Sequence, residues 1–325
     1  MSGSGGVMDD PALVEALLRA TTAAAAATLP LVGSGDGDAV DGAAVAAMRF
    51  ALTDAPCDGR VVIGEGEKDE APMLALGERF GTGEGPAIDL AVDPVDGTRL
   101  AAAGRPGAMA VASIAPRGAF CDLGPAHYLE KLVSWHPAAA LDRPLSELIT
   151  AIARERGVPA GAVRVAVQDR PRNAGYAAAA RAAGAEVVPF EHGDVERSLR
   201  AAQRGTDLDV LVGIGGAPEG VLVSAAVRAL GGAMQARPAP QSDAERRRVL
   251  DAGVDLDRVL TLDGLCSGPA LCVLSAVTEV DPGGAVRLTG AARVDEGVAV
   301  ESWVVASGHA MWIDRRVVTD GFAAS

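Results

Sequence analysis

The chain has 325 residues, 49% of them hydrophobic and 22% charged, and a formal net charge of -14. This composition is that of a soluble globular protein, and the length is enough for two packed domains. The negative charge argues against a general attraction to nucleic acid or to an anionic membrane, so we expect neither as a partner.

The N-terminal region is predicted to be helical. Residues 1–10 lack the features of a signal peptide, and no later run approaches the roughly 20 apolar residues of a membrane span, so we expect a cytoplasmic protein. Apolar periodicity predicts helices over residues 11–29 and 43–52, with an acidic, glycine-rich loop between them. Asp41, at the end of this loop, either caps the second helix or offers a carboxylate to a metal ion held elsewhere.

A short buried strand over residues 60–63 ends in an acidic turn. Glu65 lies just past the strand end between two glycines, a position from which a side chain reaches a site at the edge of a sheet. Asp69 and Glu70 precede a helix that is predicted to begin at residue 71. Their charges either favour the N-terminus of that helix or belong to the same acidic site.

The stretch from Asp89 to Thr98 carries a second acidic turn after a buried strand. A proline and Gly97 turn the chain there, so Asp93, Asp96 and Thr98 are expected to converge. Oxygen ligands on a rigid turn suit Mg2+ or Mn2+, although a solvated turn has the same residue types. Because two acidic turns would repel each other without a cation, we favour the metal site and give Asp89 a structural role.

The elements that follow complete an N-terminal α+β domain, which we place at residues 1–156. They are strands over 108–114 and 128–135 and a helix over 144–156. Tyr128 belongs to a predicted strand with alternating apolar residues, and its side chain faces either the core or a ligand. A glycine-flanked hinge over 157–161 is predicted to end the domain.

An α/β domain is predicted at residues 157–268, because strands and helices alternate there. The predicted strands cover 163–167, 186–190 and 208–214, and the predicted helices cover 174–183, 195–204 and 221–230. Residues 269–325 read as closing strands and hairpins that we assign to neither domain, and His309 and Trp312 are expected to be structural or interfacial. The four cysteines show no paired spacing and are expected to be reduced core residues. They are Cys57, Cys121, Cys266 and Cys272.

Arginines follow the first strand of the α/β domain, where such domains hold ligands. Arg170 and Arg172 flank Pro171 and form a stiff phosphate clamp, with a surface salt-bridge pair as the alternative. Since Lys68 and Lys131 are the only lysines, any protein cation that binds a phosphate is expected to be an arginine.

The next two strands also end in candidate binding loops. His192, Gly193 and Asp194 either bind sugar hydroxyls or contain only a helix cap. In the following glycine-rich loop, Gly216 and its neighbours let a phosphate or sugar approach backbone N–H groups, and Glu219 is expected to point inward. The spacing of these glycines is a weak match to a dinucleotide-binding fingerprint.

Five motifs in this order resemble the class II fructose-1,6-bisphosphatases of the lithium-sensitive, metal-dependent sugar-phosphatase superfamily. They cover residues 41–49, 62–73, 93–98, 169–172 and 213–220. The resemblance implies a layered αβαβα fold with the active site between two domains. It also implies hydrolysis of a phosphorylated sugar with two or more Mg2+ or Mn2+ ions per site, in a homodimer or homotetramer.

The resemblance further implies roles for individual residues. Thr98 would lie beside the attacking water, and Asp69 would orient Thr98. The implied metal ligands are Asp41, Glu65, Asp93, Asp96 and Glu219. The implied substrate contacts are Asp96, Gly97, Thr98, Tyr128, Arg170, Pro171, Arg172, His192, Gly193, Asp194 and Gly216.

Three departures from the family pattern concern the substrate side. Gly37 stands where the family usually has a lysine, His192 where it has an aspartate, and Asn173 where it has a histidine. The metal set is complete, so we expect hydrolysis of fructose 1,6-bisphosphate or of a related, longer or more specialised sugar bisphosphate. The alternatives are a sugar or inositol monophosphate phosphatase and a non-catalytic sugar-phosphate binder. The arginine pair favours a bisphosphate, since a distal phosphate needs a clamp.

Overall fold

The computed structural model describes residues 10–64, 67–68, 71–72, 74–306 and 310–319. The helices of this described part are α1 (Pro11–Thr28), α2 (Gly37–Leu52), α3 (Thr98–Ala102), α4 (Leu145–Arg156), α5 (Ala174–Ala182), α6 (Asp194–Ala201), α7 (Ala217–Ala229), α8 (Asp243–Asp251) and α9 (Leu262–Leu265). The strands are β1 (Asp58–Ile63), β2 (Glu67–Lys68), β3 (Ala71–Pro72), β4 (Arg79–Phe80), β5 (Ala87–Asp96), β6 (Met109–Pro116), β7 (Tyr128–Ser134), β8 (Arg164–Gln168), β9 (Glu186–Phe190), β10 (Val210–Gly216), β11 (Ala233–Pro238), β12 (Leu260–Thr261), β13 (Leu271–Ala276), β14 (Val280–Gly283), β15 (Val286–Leu288), β16 (Ala292–Val294), β17 (Gly297–Ala306) and β18 (Ala310–Val318). Helices and mixed sheets confirm the predicted α/β class.

The chain divides into two compact units. The first comprises Met1–Phe120, Gly268–Asp281 and Val286–Ser325, and the second comprises Cys121–Ser267 and Pro282–Ala285. The first boundary therefore falls well before the predicted one at residue 156. The reason is β7, which pairs along its whole length with β10 and β11 of the second unit, a long-range pairing that local sequence does not reveal.

The first unit is built on an eight-stranded sheet with the order β16-β17-β13-β6-β5-β1-β4, and β18 pairs with β17. β1 and β5 are parallel, and the other pairs are antiparallel. α1 packs against α2, β6, β13 and β17. The resulting core is rich in alanine, valine and leucine, and the small alanine side chains let the helices lie close to the sheet.

α1 begins where the sequence predicts. Asp10 caps it by accepting a hydrogen bond of 2.9 Å from the backbone N–H of Ala12, and Pro11 occupies the first helical position. Together with the following turn, α1 is long and apolar enough to cross a membrane by length and composition, which the sequence reading missed. However, 67% of its most apolar window is buried inside the protein, as expected of a core helix.

The second unit holds a six-stranded sheet with the order β12-β11-β7-β10-β8-β9. β8, β9 and β10 are parallel, as the α/β prediction requires, whereas β7 runs antiparallel to both of its neighbours. Leu148, Ile149 and Ile152 of α4 pack with β8 and β10 in one core. α6 and α7 contact β7 and β10.

Three predicted helix starts differ clearly from the structure. Ala71–Pro72, where a helix was predicted to begin, form instead β3, which pairs antiparallel with β2. α2 begins at Gly37 rather than at residue 43. α7 begins at Ala217 rather than at residue 221, because the glycine-rich loop ends in Pro218, which is favourable in a first helical turn. Glu219 is therefore a residue of the helix's first turn.

Candidate active site

Asp93 and Asp96 lie within the last four residues of β5, whereas the sequence predicted that the strand ends before them in a turn. Residues three apart on a regular strand point to opposite faces. Here the register shifts between them: Asp93 pairs with Val111 and Asp96 with Met109, two positions apart on β6. This bulge brings both carboxylates to the same face of the sheet. Asp93 is half-buried and Asp96 is buried.

Thr98 follows directly as the first residue of α3. Gly97 precedes it with φ +82°, and a Cβ there would lie only 3.1 Å from the carbonyl oxygen of Gly107, so this turn requires glycine. The Thr98 hydroxyl donates a hydrogen bond of 2.9 Å to the carbonyl of Val95. Its oxygen lone pairs can accept a further hydrogen bond.

Gly37, one of the departures from the family pattern, lies beside Thr98. A Cβ built on Gly37 would be 3.6 Å from Thr98 Cγ2, an ordinary van der Waals contact. α2 begins at Gly37, and its cap is Asp36, which accepts a hydrogen bond of 3.0 Å from the N–H of Ala39. Asp41 therefore lies within the helix, and the capping role left open for it belongs to Asp36.

The predicted metal set is only partly visible. Glu65 and Asp69 lie outside the described residues, as does His309. Among the residues that the structure describes, no three histidine, cysteine, aspartate or glutamate side chains are grouped closely enough to hold a metal ion. The ligand assignment of Asp41, Asp93, Asp96 and Glu219 therefore stays a prediction.

Asp89 has the structural role expected of it. Its buried carboxylate accepts two hydrogen bonds of 3.1 Å from Arg60, forms an ion pair of 3.0 Å with Arg117 and accepts a 2.7 Å bond from the N–H of Gly118. These donors satisfy both oxygens, so Asp89 ties β5 to β1 and to the loop after β6.

Arg172, in the loop after β8, is held by uncharged partners. Its guanidinium lies 4.9 Å from the ring centroid of Tyr128, and its Nε donates a 3.0 Å hydrogen bond to the carbonyl of Ile214. Nη2 donates a 3.2 Å bond to Gln168 Oε1. These contacts orient the guanidinium without neutralising its charge, as a phosphate clamp requires. Tyr128 is thus half-buried beneath an arginine.

Arg170 is half-buried and is likewise held by neutral groups. It donates hydrogen bonds of 3.0 Å to the carbonyl of Asp169 and 2.9 Å to that of Glu191, and its Nη2 lies 3.4 Å from Nδ1 of His192. Pro171 separates it from Arg172, which lies in the 3-10 turn Pro171–Asn173. His192 is therefore a neighbour of the first arginine of the predicted clamp.

Asn173, the third departure from the family pattern, bridges two strands. It is 1% exposed. Its amide donates to the carbonyl of Gln168 at 3.1 Å and accepts from the N–H of Ile214 at 2.8 Å. Gly213, with φ +148°, leaves room for it, since a Cβ there would lie 3.0 Å from Asn173 Oδ1. Asn173 therefore ties β8 to β10, and its effect on the substrate stays a prediction.

Asp194 is buried and Glu219 is half-buried, at the N-terminal ends of α6 and α7. Gly193 precedes Asp194 with φ +74°. Oδ2 of Asp194 pairs with the ammonium of Lys131, a residue that the sequence reading set aside. Lys131 is the only charged residue among the four buried residues that end β7. A single charge within a buried part of a strand is the sequence signal that could have identified it.

The carboxylate of Glu219 folds back over Gly216, where any Cβ would overlap it. Its Oε2 is buried and has no hydrogen-bond partner among the described residues. Burial raises the pKa of the Glu219 carboxyl, the charge of Asp194 raises it further, and Lys131 opposes both. A buried carboxylate oxygen of this kind fits a ligand of a hard cation such as Mg2+ or Mn2+.

Carboxylates at the end of one strand and positively charged guanidinium groups at the end of another are the chemistry of an enzyme that handles phosphate esters. The sequence profile of the bacterial, glpX-encoded fructose-1,6-bisphosphatases matches residues 11–316, so the chain belongs to this family. The membership confirms the predicted family and, with it, the predicted enzyme class, a phosphoric monoester hydrolase.

Two curated relatives from Escherichia coli K12 support the assignment. Fructose-1,6-bisphosphatase 2 class 2 is 42% identical over 268 residues, which cover 78% of this chain and 83% of the relative. Fructose-1,6-bisphosphatase 1 class 2 is 41% identical over 239 residues, which cover 71% of each chain. Both relatives are named for the same activity.

Proposed function

We propose that this chain hydrolyses fructose 1,6-bisphosphate to fructose 6-phosphate and inorganic phosphate with the help of a divalent metal. The observation that carries the proposal is the family match over residues 11–316, together with the presence of every carboxylate of the predicted metal set in the sequence. The names of the two relatives agree with it.

The residues assigned to the metal are Asp41, Glu65, Asp93, Asp96 and Glu219. When bound, two or more Mg2+ or Mn2+ ions neutralise the phosphate, lower the pKa of a water and stabilise the leaving alkoxide. The bulge in β5 supports the assignment of Asp93 and Asp96, since it brings two carboxylates to one face. The buried oxygen of Glu219 supports the third assignment.

The remaining residues bind and orient. Thr98, fixed by its bond to the Val95 carbonyl and assisted by Asp69, accepts a hydrogen bond from the attacking water and aligns it. Arg170 and Arg172 hold the phosphate that is not transferred, and the ring of Tyr128 packs against the guanidinium of Arg172. The loop over 192–194 and the N-terminal turn of α7 at Gly216 hold sugar hydroxyls or phosphate oxygens.

A related, longer or more specialised sugar bisphosphate is the second candidate substrate. The observation that favours it is the contact of Arg170 with the imidazole of His192, 3.4 Å away, at the position where the family usually has a carboxylate. An imidazole at this position offers a sugar hydroxyl different hydrogen bonds from those of a carboxylate.

The test is phosphate release from a panel of sugar bisphosphates, sugar monophosphates and inositol monophosphate, with Mn2+, Mg2+ or EDTA. We expect metal-dependent release from fructose 1,6-bisphosphate. Faster release from another sugar bisphosphate would establish the second candidate, and faster release from monophosphates would favour a monophosphatase. If no compound releases phosphate in the presence of metal, the proposed phosphatase activity is contradicted. We also propose a cytoplasmic homodimer or homotetramer, which sizing by light scattering would test.

A further inference from the structure

Lys131 is an unusual residue for its position. It lies on β7, which is hydrogen-bonded on both sides, opposite Gly213 of β10 and Ala236 of β11. Its side chain is only 2% exposed. A buried ammonium is costly unless it is paired, and lysine is almost never found fully buried for no reason. Because the chain has only one other lysine and relies on arginine elsewhere, a lysine here is a specific choice.

The Lys131–Asp194 ion pair lies close to the backbone of β10. A Cβ on Gly215 would lie 2.6 Å from Asp194 Oδ2, 3.0 Å from Lys131 Cε and 3.1 Å from Lys131 Nζ. The ion pair is therefore packed directly against the backbone at Gly215, and its positive charge is the compact ammonium of a lysine.

The ammonium of Lys131 pairs with a buried carboxylate. It contacts Oδ2 of Asp194 directly, and both residues are buried. Removing one partner of a buried ion pair leaves an uncompensated buried charge, so the two groups depend on each other. Oδ1 of Asp194 is buried and has no hydrogen-bond partner in the described part of the chain.

We propose that Lys131 is a positioning residue: it fixes Asp194 through Oδ2 so that Oδ1 faces a sugar hydroxyl, and it offsets the buried negative charge of Asp194. This inference rests on the proposed function for the sugar, while the charge compensation stands on the geometry alone. The residue acts through Asp194 and takes no part in the bond that breaks.

The first test compares steady-state kinetics of Lys131→Met and Gly215→Ala with the parent protein. Gly215→Ala changes no charge but displaces the ion pair. We expect each variant to raise KM for fructose 1,6-bisphosphate about 10-fold or more, as the loss of an oriented charged hydrogen bond does, with a much smaller change in kcat. The matched control is Arg156→Met, which breaks the 2.5 Å ion pair with buried Asp209 in the same unit. It is expected to lower the Tm and leave KM unchanged.

The second test needs no activity. Lys131→Met is expected to lower the Tm by roughly 5–10 °C, because it leaves an uncompensated buried charge. Adding Asp194→Asn to it is expected to restore a good part of this loss. Tm shifts that simply add, or an unchanged KM in Gly215→Ala, would overturn the proposal. If the parent protein hydrolyses no sugar phosphate, the proposed function fails, while the coupling of the Tm shifts still decides whether Lys131 compensates Asp194.

Discussion

Asp89 and Asp93 lie four residues apart on β5 and have different neighbours. Two arginines and a backbone N–H hold Asp89, whereas Asp93 accepts a 3.1 Å hydrogen bond from the N–H of Val95. We expect Asp89→Asn to lower the free energy of unfolding by roughly 2–3 kcal/mol and to keep kcat, because it breaks a buried ion pair away from the metal.

Asp93→Asn is expected to show the opposite effect. The amide is isosteric, so the fold and the Tm without metal stay close to those of the parent. Loss of a metal ligand should reduce kcat by more than about 100-fold, comparable to removing a preorganised electrostatic group. Circular dichroism and phosphate release measure the two effects. Turnover near that of the parent would refute the role of Asp93 as a ligand.

A substitution of Arg172 tests the proposed phosphate clamp, again at the scale of a single residue. Replacing it by alanine removes a guanidinium that Tyr128 and the Ile214 carbonyl hold in place. We expect KM for a sugar bisphosphate to rise about 10- to 100-fold, as for a lost charged hydrogen bond, and KM for a monophosphate to rise far less. Arg154→Ala, at an exposed position of α4, is the control. An equal rise in KM for bisphosphates and for monophosphates would refute the role of Arg172 as a phosphate clamp.

At the scale of secondary-structure elements, the turn between β5 and α3 sets the position of Thr98. Gly97→Ala places a Cβ close to the Gly107 carbonyl and forces alanine into a left-handed conformation, so the turn must shift. Since small displacements of positioning groups are costly, we expect kcat to fall roughly 10- to 100-fold. Gly118→Ala has a similar φ of +80° but open space around it, and it should destabilise without changing kcat. Equal kcat values for the two variants would contradict the prediction.

At the scale of the whole molecule, metal binding is expected to stabilise the folded protein. Asp96 is buried, as is one carboxylate oxygen of Glu219, and a cation that binds only the folded protein stabilises it. At a concentration 100 times its Kd, Mn2+ or Mg2+ adds about 2.7 kcal/mol, which should raise the Tm by roughly 5–10 °C above that in EDTA. Calorimetry measures the shift, and Asp93→Asn should reduce it. A Tm that does not respond to metal would contradict the assignment.

The units of the molecule depend on pairings between distant residues. The last part of the chain, assigned to neither domain from the sequence, belongs mostly to the first unit, because β13 pairs with β6 and with β17. β7 joins the second unit through β10 and β11. Trp312, predicted to be structural or interfacial, lies on β18 and is 40% exposed, so it is not a core residue.

The sequence by itself determined the elements whose signals are local. α1 with its Asp10 cap and the strands over 163–167 and 186–190 follow from periodicity and capping residues, which act over a few positions. Family motifs identified the candidate site by residue. Only the tertiary structure decided the contacts that bring distant residues together. Asn173 bridges β8 and β10, and Lys131 is buried against Asp194, 63 positions away in sequence. Such contacts depend on which strands pair, and no local pattern encodes that choice.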